Sequence, residues 1–381
     1  MSPGLRSTPL EARHVAEGAT LGEFAGWRMP IRFAGVVAEH RAVRDDVGVF
    51  DVSHLGVVEV TGPDALGVIA ESFTNDPDGV VDGASQYTLC CDPDGGVVDD
   101  LLVYRVDAGR WLAIPNAANT AAVLGVLTAS AADRRAEVRD RSFDTALLAV
   151  QGPRSLEVLD DVLESLTGRD HVASAIGFLH LTELEVAGAP AVVARTGYTG
   201  EPGAELILAP DVAGEVWDAV RGAGAAACGL GARDTLRMEV GFPLHGHELT
   251  RQVTPYEGGV GWAVKLDRPA FRGRDALVEA KERGPRRVIR GLLPVGRRPV
   301  REGMRVTADG DEVGVVTSGT VSPTLNRPIA LARLAPRIEP GATVQVDVRG
   351  RSEDAEVVRP PFLRRDPRGT PPAEEDSRDR R

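Results

Sequence analysis

Between residues 85 and 128 three strand-like runs follow one another with only short turns between them, and this stretch limits the fold more than any other. Gln86 to Cys91 is rich in strand formers, DPDGG is a hairpin loop, and Val97 to Val106 reads as a long strand. DAGR turns the chain again into Trp111 to Ile114, after which Asn116 is placed to cap an alanine-rich helix. Consecutive hairpins followed by a helix make an antiparallel meander. That pattern predicts an α+β fold with mixed or antiparallel sheets, not a doubly wound parallel sheet.

The motif recurs loosely downstream. Leu181 to Val186 and Ala191 to Arg195 read as paired strands, Ala204 to Leu208 as a third, and Val212 to Gly222 as a helix. Upstream, the spacing predicts a helix over Val36 to Val43. It also predicts a strand through Val57, Val58 and Val60 that breaks at Gly62, with Pro63 in the first turn of the next helix. CGLGARDTLRMEVG is expected to start a helix after Gly229 and Gly231. From about Arg286 the texture changes to short β-type runs with regular turns, as expected of a small barrel or sandwich. The polar end, 366–381, is expected to be disordered.

A chain of 381 residues exceeds one hydrophobic core, so two or three units are expected. The net charge of −12, with dispersed basic residues, lacks the basic stripe that nucleic acid requires. No apolar run is long enough to span a bilayer, and the N-terminus shows no apolar signal core, which makes the cytoplasm the expected location. The three cysteines, Cys90, Cys91 and Cys228, are an odd number with two adjacent, and read as small apolar filler.

Four groups of residues could carry chemistry. Asp99 and Asp100 are adjacent on one strand and should face opposite sides, Asp100 with Val98, Leu102 and Tyr104, and Asp99 with Val97, Leu101 and Val103. Both faces are apolar, so an inward aspartate needs a partner or a task, and the alternative is a hairpin edge in solvent. In TGYTGEPGAEL the glycines hold a tight loop and Glu205 follows; a carboxylate there could accept paired hydrogen bonds from an amino-pyrimidine edge, or sit on the surface. Arg233 and Arg237 are four apart on a helix and repel unless an anion lies between them, or else form a solvated face. His245-Gly246-His247-Glu248 invites a metal, yet no third ligand is placed and no HExxH or CxxC exists. P-loop, dinucleotide and nucleophile-elbow motifs do not occur, so ATP, NAD and flavin sites have no support.

Taken in order, AGWRMP (25–30), RDDVGVFDVSH (44–54), GGVVDDLLVY (95–104), NAAN (116–119), QGP (151–153) and RTGYTGEPGAEL (195–206) resemble the glycine cleavage T-protein family. CGLGARDTLRMEVG (228–241), GWAVKL (261–266), TSGTVSPTL (317–325) and PPFLRR (360–365) continue the resemblance, which runs from about Ala25 to Arg365. It implies a three-domain disc around a central tetrahydrofolate site: a discontinuous folate-binding domain over 1–54 and 152–265, an inserted domain over 55–151, and a C-terminal β-barrel over 286–365. It implies transfer of an aminomethyl group from the lipoyl arm of H-protein to tetrahydrofolate, giving 5,10-methylenetetrahydrofolate and ammonia, without metal, NAD or flavin. Carried over residue by residue, Asp100 is the aspartate near folate N10, Glu205 grips the pterin edge, and Arg233 lies beside it. Tyr87, Asn116 and Tyr198 line the pocket, and Arg364 meets the glutamyl tail. The sequence departs from the family where tyrosine-glycine is usual and His245-Gly246 stands instead. Two other readings are a folate-dependent demethylase of a small methylated amine or sulfonium compound, and a folate-binding protein that transfers nothing.

Overall fold

The computed structural model describes residues 4–369. Two sheets form its body. The six-stranded sheet runs in the order Leu181–Val186, Ala189–Ala194, Gly203–Leu208, Ala146–Gln151, Gly48–Asp51 and Ala226–Cys228. Its pairings are antiparallel except the last, where Ala226–Cys228 lies parallel to Gly48–Asp51. The five-stranded sheet is antiparallel throughout, in the order Ala84–Cys91, Val97–Asp107, Arg110–Ile114, Val58–Thr61 and Glu137–Asp140. The expected meander is therefore present.

Helices and the partner sheet bury both faces of each sheet. Phe50, Leu147, Ala149 and Ile207 of the first sheet share one core with Tyr104 and Leu112 of the second. Behind the first sheet, Leu148 and Val150 pack against the helices Ser155–Thr167 and Pro210–Gly222. Behind the second, Leu101 and Val103 pack against Ala65–Ser72 and Thr120–Ala131. A strand covered on both sides can be apolar at every position, and Ala146–Gln151 (ALLAVQ) is buried throughout. This strand falls within the expected 55–151 domain, yet it pairs between Gly48–Asp51 and Gly203–Leu208 in the six-stranded sheet.

The C-terminal part is a closed barrel of six strands, from Val288–Pro294 to Ser352–Val358, filled by residues such as Leu292, Val316, Leu334 and Val344. A buried polar network docks it on the body. Glu239, at the end of the helix Leu230–Glu239, accepts from Arg44 Nε (3.0 Å), Thr324 Oγ1 (3.0 Å) and the Thr324 amide (3.1 Å), with His40 Nε2 at 3.3 Å. Arg44 also pairs with Glu201 (3.0 Å), which Arg365 approaches at 3.2 Å.

Three expectations shift. Pro63 lies in the turn before the helix, which starts at Ala65, since Gly62 bends the chain against the Arg135 carbonyl. Gly231 is inside the helix Leu230–Glu239, not ahead of it; a Cβ there would meet Val36 at 2.7 Å, so glycine permits the close approach. Asp366–Gly369 form a turn in which the Arg368 carbonyl accepts from Arg195 (3.5 Å), while the rest of the expected disordered tail, 370–381, lies outside the described residues. The three cysteines are buried and unpaired, and burial pushes the Cys90 thiol up to about 12.

Candidate active site

A β-bulge sets the position of the two aspartates. Cys90 pairs with Asp99, but Cys91 pairs with Val97, so Val98 is left unpaired. The alternation expected along Val97–Asp107 therefore breaks at the bulge. Val98 joins the helix-side core with Leu101 and Val103, while Val97 enters a separate cluster with Leu89 and Leu249. Asp99 is fully buried and Asp100 largely so; neither is a solvent edge.

Each carboxylate has its own donors. Asp99 accepts the Asn116 amide (3.0 Å), Asn116 Nδ2 (2.9 Å) and Asn119 Nδ2 (2.7 Å). Asp100 Oδ2 accepts the Tyr87 hydroxyl at 3.0 Å, and its Oδ1 has a long contact from Asn116 Nδ2 at 3.3 Å. Asn116 is thus not a helix cap. The helix begins at Thr120 with Asn119 at the capping position, and the buried charges claim the Asn116 amide group instead. Burial raises Asp100 to about 6, against the Tyr87 and Asn116 hydrogen bonds that favour the charged form. Burial and the neighbouring Asp100 charge push Asp99 up as well.

Tyr87 is held from its other side by Trp262, stacked at 5.2 Å and 25°. Trp262 is 61% exposed, unusual for an indole on the short 3-10 turn Gly261–Ala263, and gives the site an aromatic rim.

The second half of the site is Tyr198, Glu205 and Arg233. Gly203–Leu208 places Glu205 opposite Ala149 and Ala194. Its Oε2 accepts Thr196 Oγ1 at 2.6 Å and Tyr104 OH at 3.4 Å, and no hydrogen bond reaches its other oxygen among the described residues. Tyr198 donates to the Pro243 carbonyl and carries the Arg233 guanidinium over its ring at 4.9 Å. The Arg233 guanidinium makes no hydrogen bond among the described residues, and its buried Nη1 has no partner there. Burial draws its pKa down while the charge of Glu205 opposes this, so the two lie within electrostatic reach of each other. The charge of Asp100 is felt at Tyr87, to which it is hydrogen-bonded, and adds to burial in pushing the Tyr198 hydroxyl up.

The expected arginine pair diverges. Arg237, 2% exposed, turns to Asp234 (2.9 Å), Glu248 (3.0 Å) and Ser318 (3.0 Å), leaving Arg233 alone; neither forms a solvated face. The two histidines diverge too, because 245–248 is a loop rather than a strand. His245 Nε2 meets the Val97 carbonyl at 3.1 Å, and His247 meets the Thr317 carbonyl (3.1 Å) and Glu302 (3.2 Å). No group of metal-ligating side chains forms among the described residues. Arg364 is exposed and without an ion pair among the described residues, whereas Arg365 pairs with Glu201.

Sequence reasoning missed Trp262 and Asn119, and weighed Glu248, whose charge reaches Asp100, only as part of a metal motif. It also missed His54, 5% exposed, held at about 4 by burial and by Arg233, with no partner for Nδ1 among the described residues. The DVSH segment ends on His54, but nothing in its local pattern says that the ring is buried near Arg233.

A buried acid, an arginine with an unpartnered guanidinium nitrogen and a half-used carboxylate, in a two-sheet body capped by a barrel, have the character of an enzyme site. Comparison with known proteins narrows that class. Residues 10–268 match the GCVT N-terminal domain and residues 287–363 the glycine cleavage T-protein C-terminal barrel domain, so the chain belongs to the glycine cleavage T-protein family. It is 47% identical over 361 residues to an aminomethyltransferase of Mycolicibacterium paratuberculosis, covering 93% of this chain and 96% of the relative. It is 46% identical over 375 residues to an aminomethyltransferase of Streptomyces coelicolor, covering 96% and 99%. The crystal structure of glycine cleavage system aminomethyltransferase T from Bartonella henselae superposes with a TM-score of 0.89 at 32% identity, covering 95% of this chain and 99% of that one.

Proposed function

We propose that the protein is the aminomethyltransferase of a cytoplasmic glycine cleavage system, moving the aminomethyl carbon from lipoylated H-protein to tetrahydrofolate and releasing ammonia. The observation that carries the reading is Asp100, an acid held at about 6 by burial and fixed by Tyr87 and Asn116. The side chains suit a flat, polar co-substrate. Glu205 keeps one oxygen free for an amino-pyrimidine edge, and Arg233 has a buried N–H with no partner. Tetrahydrofolate supplies two nitrogens between which a one-carbon unit can be carried.

The chain's own residues then have separable tasks. Glu205 and Arg233 bind and orient the ring, and Tyr198 keeps Arg233 in place by stacking. Tyr87 and Asn116 hold the Asp100 carboxylate. Asp100 takes or gives the proton at Oδ1, where only a 3.3 Å contact competes. Asn116 and Asn119 compensate the buried Asp99, whose part is to fix Asn116. Arg364, exposed and unpaired among the described residues, is free to meet a glutamyl carboxylate. With this reading goes the division into 1–54 with 152–265, 55–151 and 286–365. Sheet membership supports it, except that Ala146–Gln151 pairs with the first of these units.

The test is to supply aminomethyl-loaded H-protein and tetrahydrofolate and measure methylenetetrahydrofolate and ammonia together. Stoichiometric formation of both is expected. Folate binding without turnover would overturn the reading in favour of another methyl donor or a binding role.

A further inference from the structure

Of the four tryptophans, Trp27, Trp111 and Trp217 are 5% exposed or less, whereas Trp262 keeps most of its indole in solvent. The turn that carries it is firmly anchored. Val260, Ala263 and Val264 are buried in a cluster with Leu89 and Val97. The Ala263 carbonyl accepts the Thr74 hydroxyl at 2.9 Å, and the Lys265 amide donates to the Thr74 carbonyl at 3.0 Å. A Cβ at Gly261 would meet the Tyr256 ring at 2.6 Å, so the turn packs closely on that side too. A lone exposed apolar residue calls for no explanation. What singles out Trp262 is its neighbour: one indole face stacks on Tyr87 at 5.2 Å, and Tyr87 donates to Asp100 Oδ2 at 3.0 Å. Trp262, Tyr87 and Asp100 therefore run in a row from solvent to the buried acid.

Glu205 and Arg233, the groups left open for the co-substrate ring, stand on other elements, the strand Gly203–Leu208 and the helix Leu230–Glu239. The one-carbon donor comes from solvent to a reaction at Asp100, and the row offers it an apolar surface followed by a carboxylate. The chemistry that fits is a flexible hydrocarbon arm with a thioether and a positive charge at its end. Methylenes and sulfur pack on an indole face, and an ammonium meets the acid. An S-aminomethyl dihydrolipoyl chain has these groups in this order. We propose that the free face of Trp262 is the surface on which the arm of the donor lies, which makes Trp262 a positioning residue for the donor and not for tetrahydrofolate. The proposal rests on the transfer reading above.

The experiment compares the full native chain with Trp262→Ala and Trp262→Phe. KM for aminomethyl-loaded H-protein should rise about tenfold in Trp262→Ala and return to within about threefold in Trp262→Phe, which keeps an aromatic face. Tetrahydrofolate affinity, measured by calorimetry, should stay within about twofold. The acid limb expected near pH 6 in kcat/KM should stay where it is. A shifted limb would mean that Trp262 acts by holding Tyr87 on Asp100, and weakened tetrahydrofolate binding would give the indole to the co-substrate; either overturns the proposal, as does an unchanged KM for loaded H-protein. A readout independent of turnover is tryptophan emission, whose solvent-exposed component is Trp262. Free dihydrolipoamide, the arm without its carrier protein, should quench that component in the native chain and leave the emission of Trp262→Ala unchanged. No quenching in the native chain overturns the proposal even where the KM effect is seen, because the indole then meets the carrier's surface and not its arm. Should the native chain form no methylenetetrahydrofolate from loaded H-protein, the transfer reading falls and this proposal with it; should it do so while both variants match it, this proposal alone falls.

Discussion

Asp100 is costly where it stands, and its cost can be measured. Its folded pKa, about 6, exceeds the ordinary aspartate value of about 3.9, so the folded state binds the proton more tightly. The stability that Asp100 contributes is therefore fully present below about pH 4 and is lost as pH rises through 6. Asp100→Asn should raise Tm by a few degrees at pH 7, with the gain shrinking toward pH 4 in a Tm-versus-pH series; a lower Tm at pH 7 would show that the charge is well compensated. The same variant should keep folate binding but lose about a hundredfold or more in turnover, together with any acid limb near pH 6 in kcat/KM. Normal turnover would remove Asp100 from the chemistry. Glu205→Ala should act differently, weakening folate affinity about tenfold to a hundredfold by equilibrium titration, because a charged acceptor is removed from a buried site. Unchanged affinity would place the ring elsewhere.

At the scale of elements, the helix Leu230–Glu239 carries Arg233 and owes its position to glycines. A Cβ at Gly229 would come within 2.4 Å of the Ile31 carbonyl group, in the strand Trp27–Arg32. Its φ of −99° is open to alanine, so the obstacle is steric rather than conformational. Gly229→Ala should push helix and strand apart, costing about 1–3 kcal/mol in chemical unfolding and weakening folate binding as Arg233 shifts. A variant of native stability and affinity would mean that the strand yields without cost. The bulge at Val98 is the other decisive local feature, since it turns Val98 to the helix side while Asp100 stays beside Tyr87.

For the whole molecule, the junction of barrel and body is polar and buried. Glu239 is held near 2, its burial outweighed by hydrogen bonds from His40 and Ser322 and by the charges of His40 and Arg44. A depressed carboxylate stabilises the fold above its ordinary value of about 4.3, and this is lost as pH falls toward 2. Glu239→Ala leaves the buried Arg44 with Glu201 as its one carboxylate partner among the described residues, beside the Thr199 and Leu236 carbonyls, and should cost about 3–5 kcal/mol. Heightened proteolysis near 284–287, between the helix Arg274–Arg283 and the barrel, together with a flatter Tm profile below pH 4.3, would identify the loss with this junction. An unchanged Tm would mean that the barrel is held by its apolar contacts.

What the sequence determined by itself is what local pattern encodes. Period-two runs and turn residues fix the meander 84–114, and the change of texture near Arg286 marks the barrel. The ordered motifs identify the family to which the chain belongs. Tertiary structure decided whatever depends on partners far along the chain. Asn116, a helix cap by local rules, serves two buried carboxylates because an unpaired charge in a core costs more than an uncapped helix end. Arg233 and Arg237 part because Glu248 and Ser318 arrive from other elements. Trp262 becomes the rim of the site only because a loop more than a hundred and fifty residues away from Tyr87 folds over it. Periodicity records which face a residue takes; which charge waits on that face is set by the packing of distant segments.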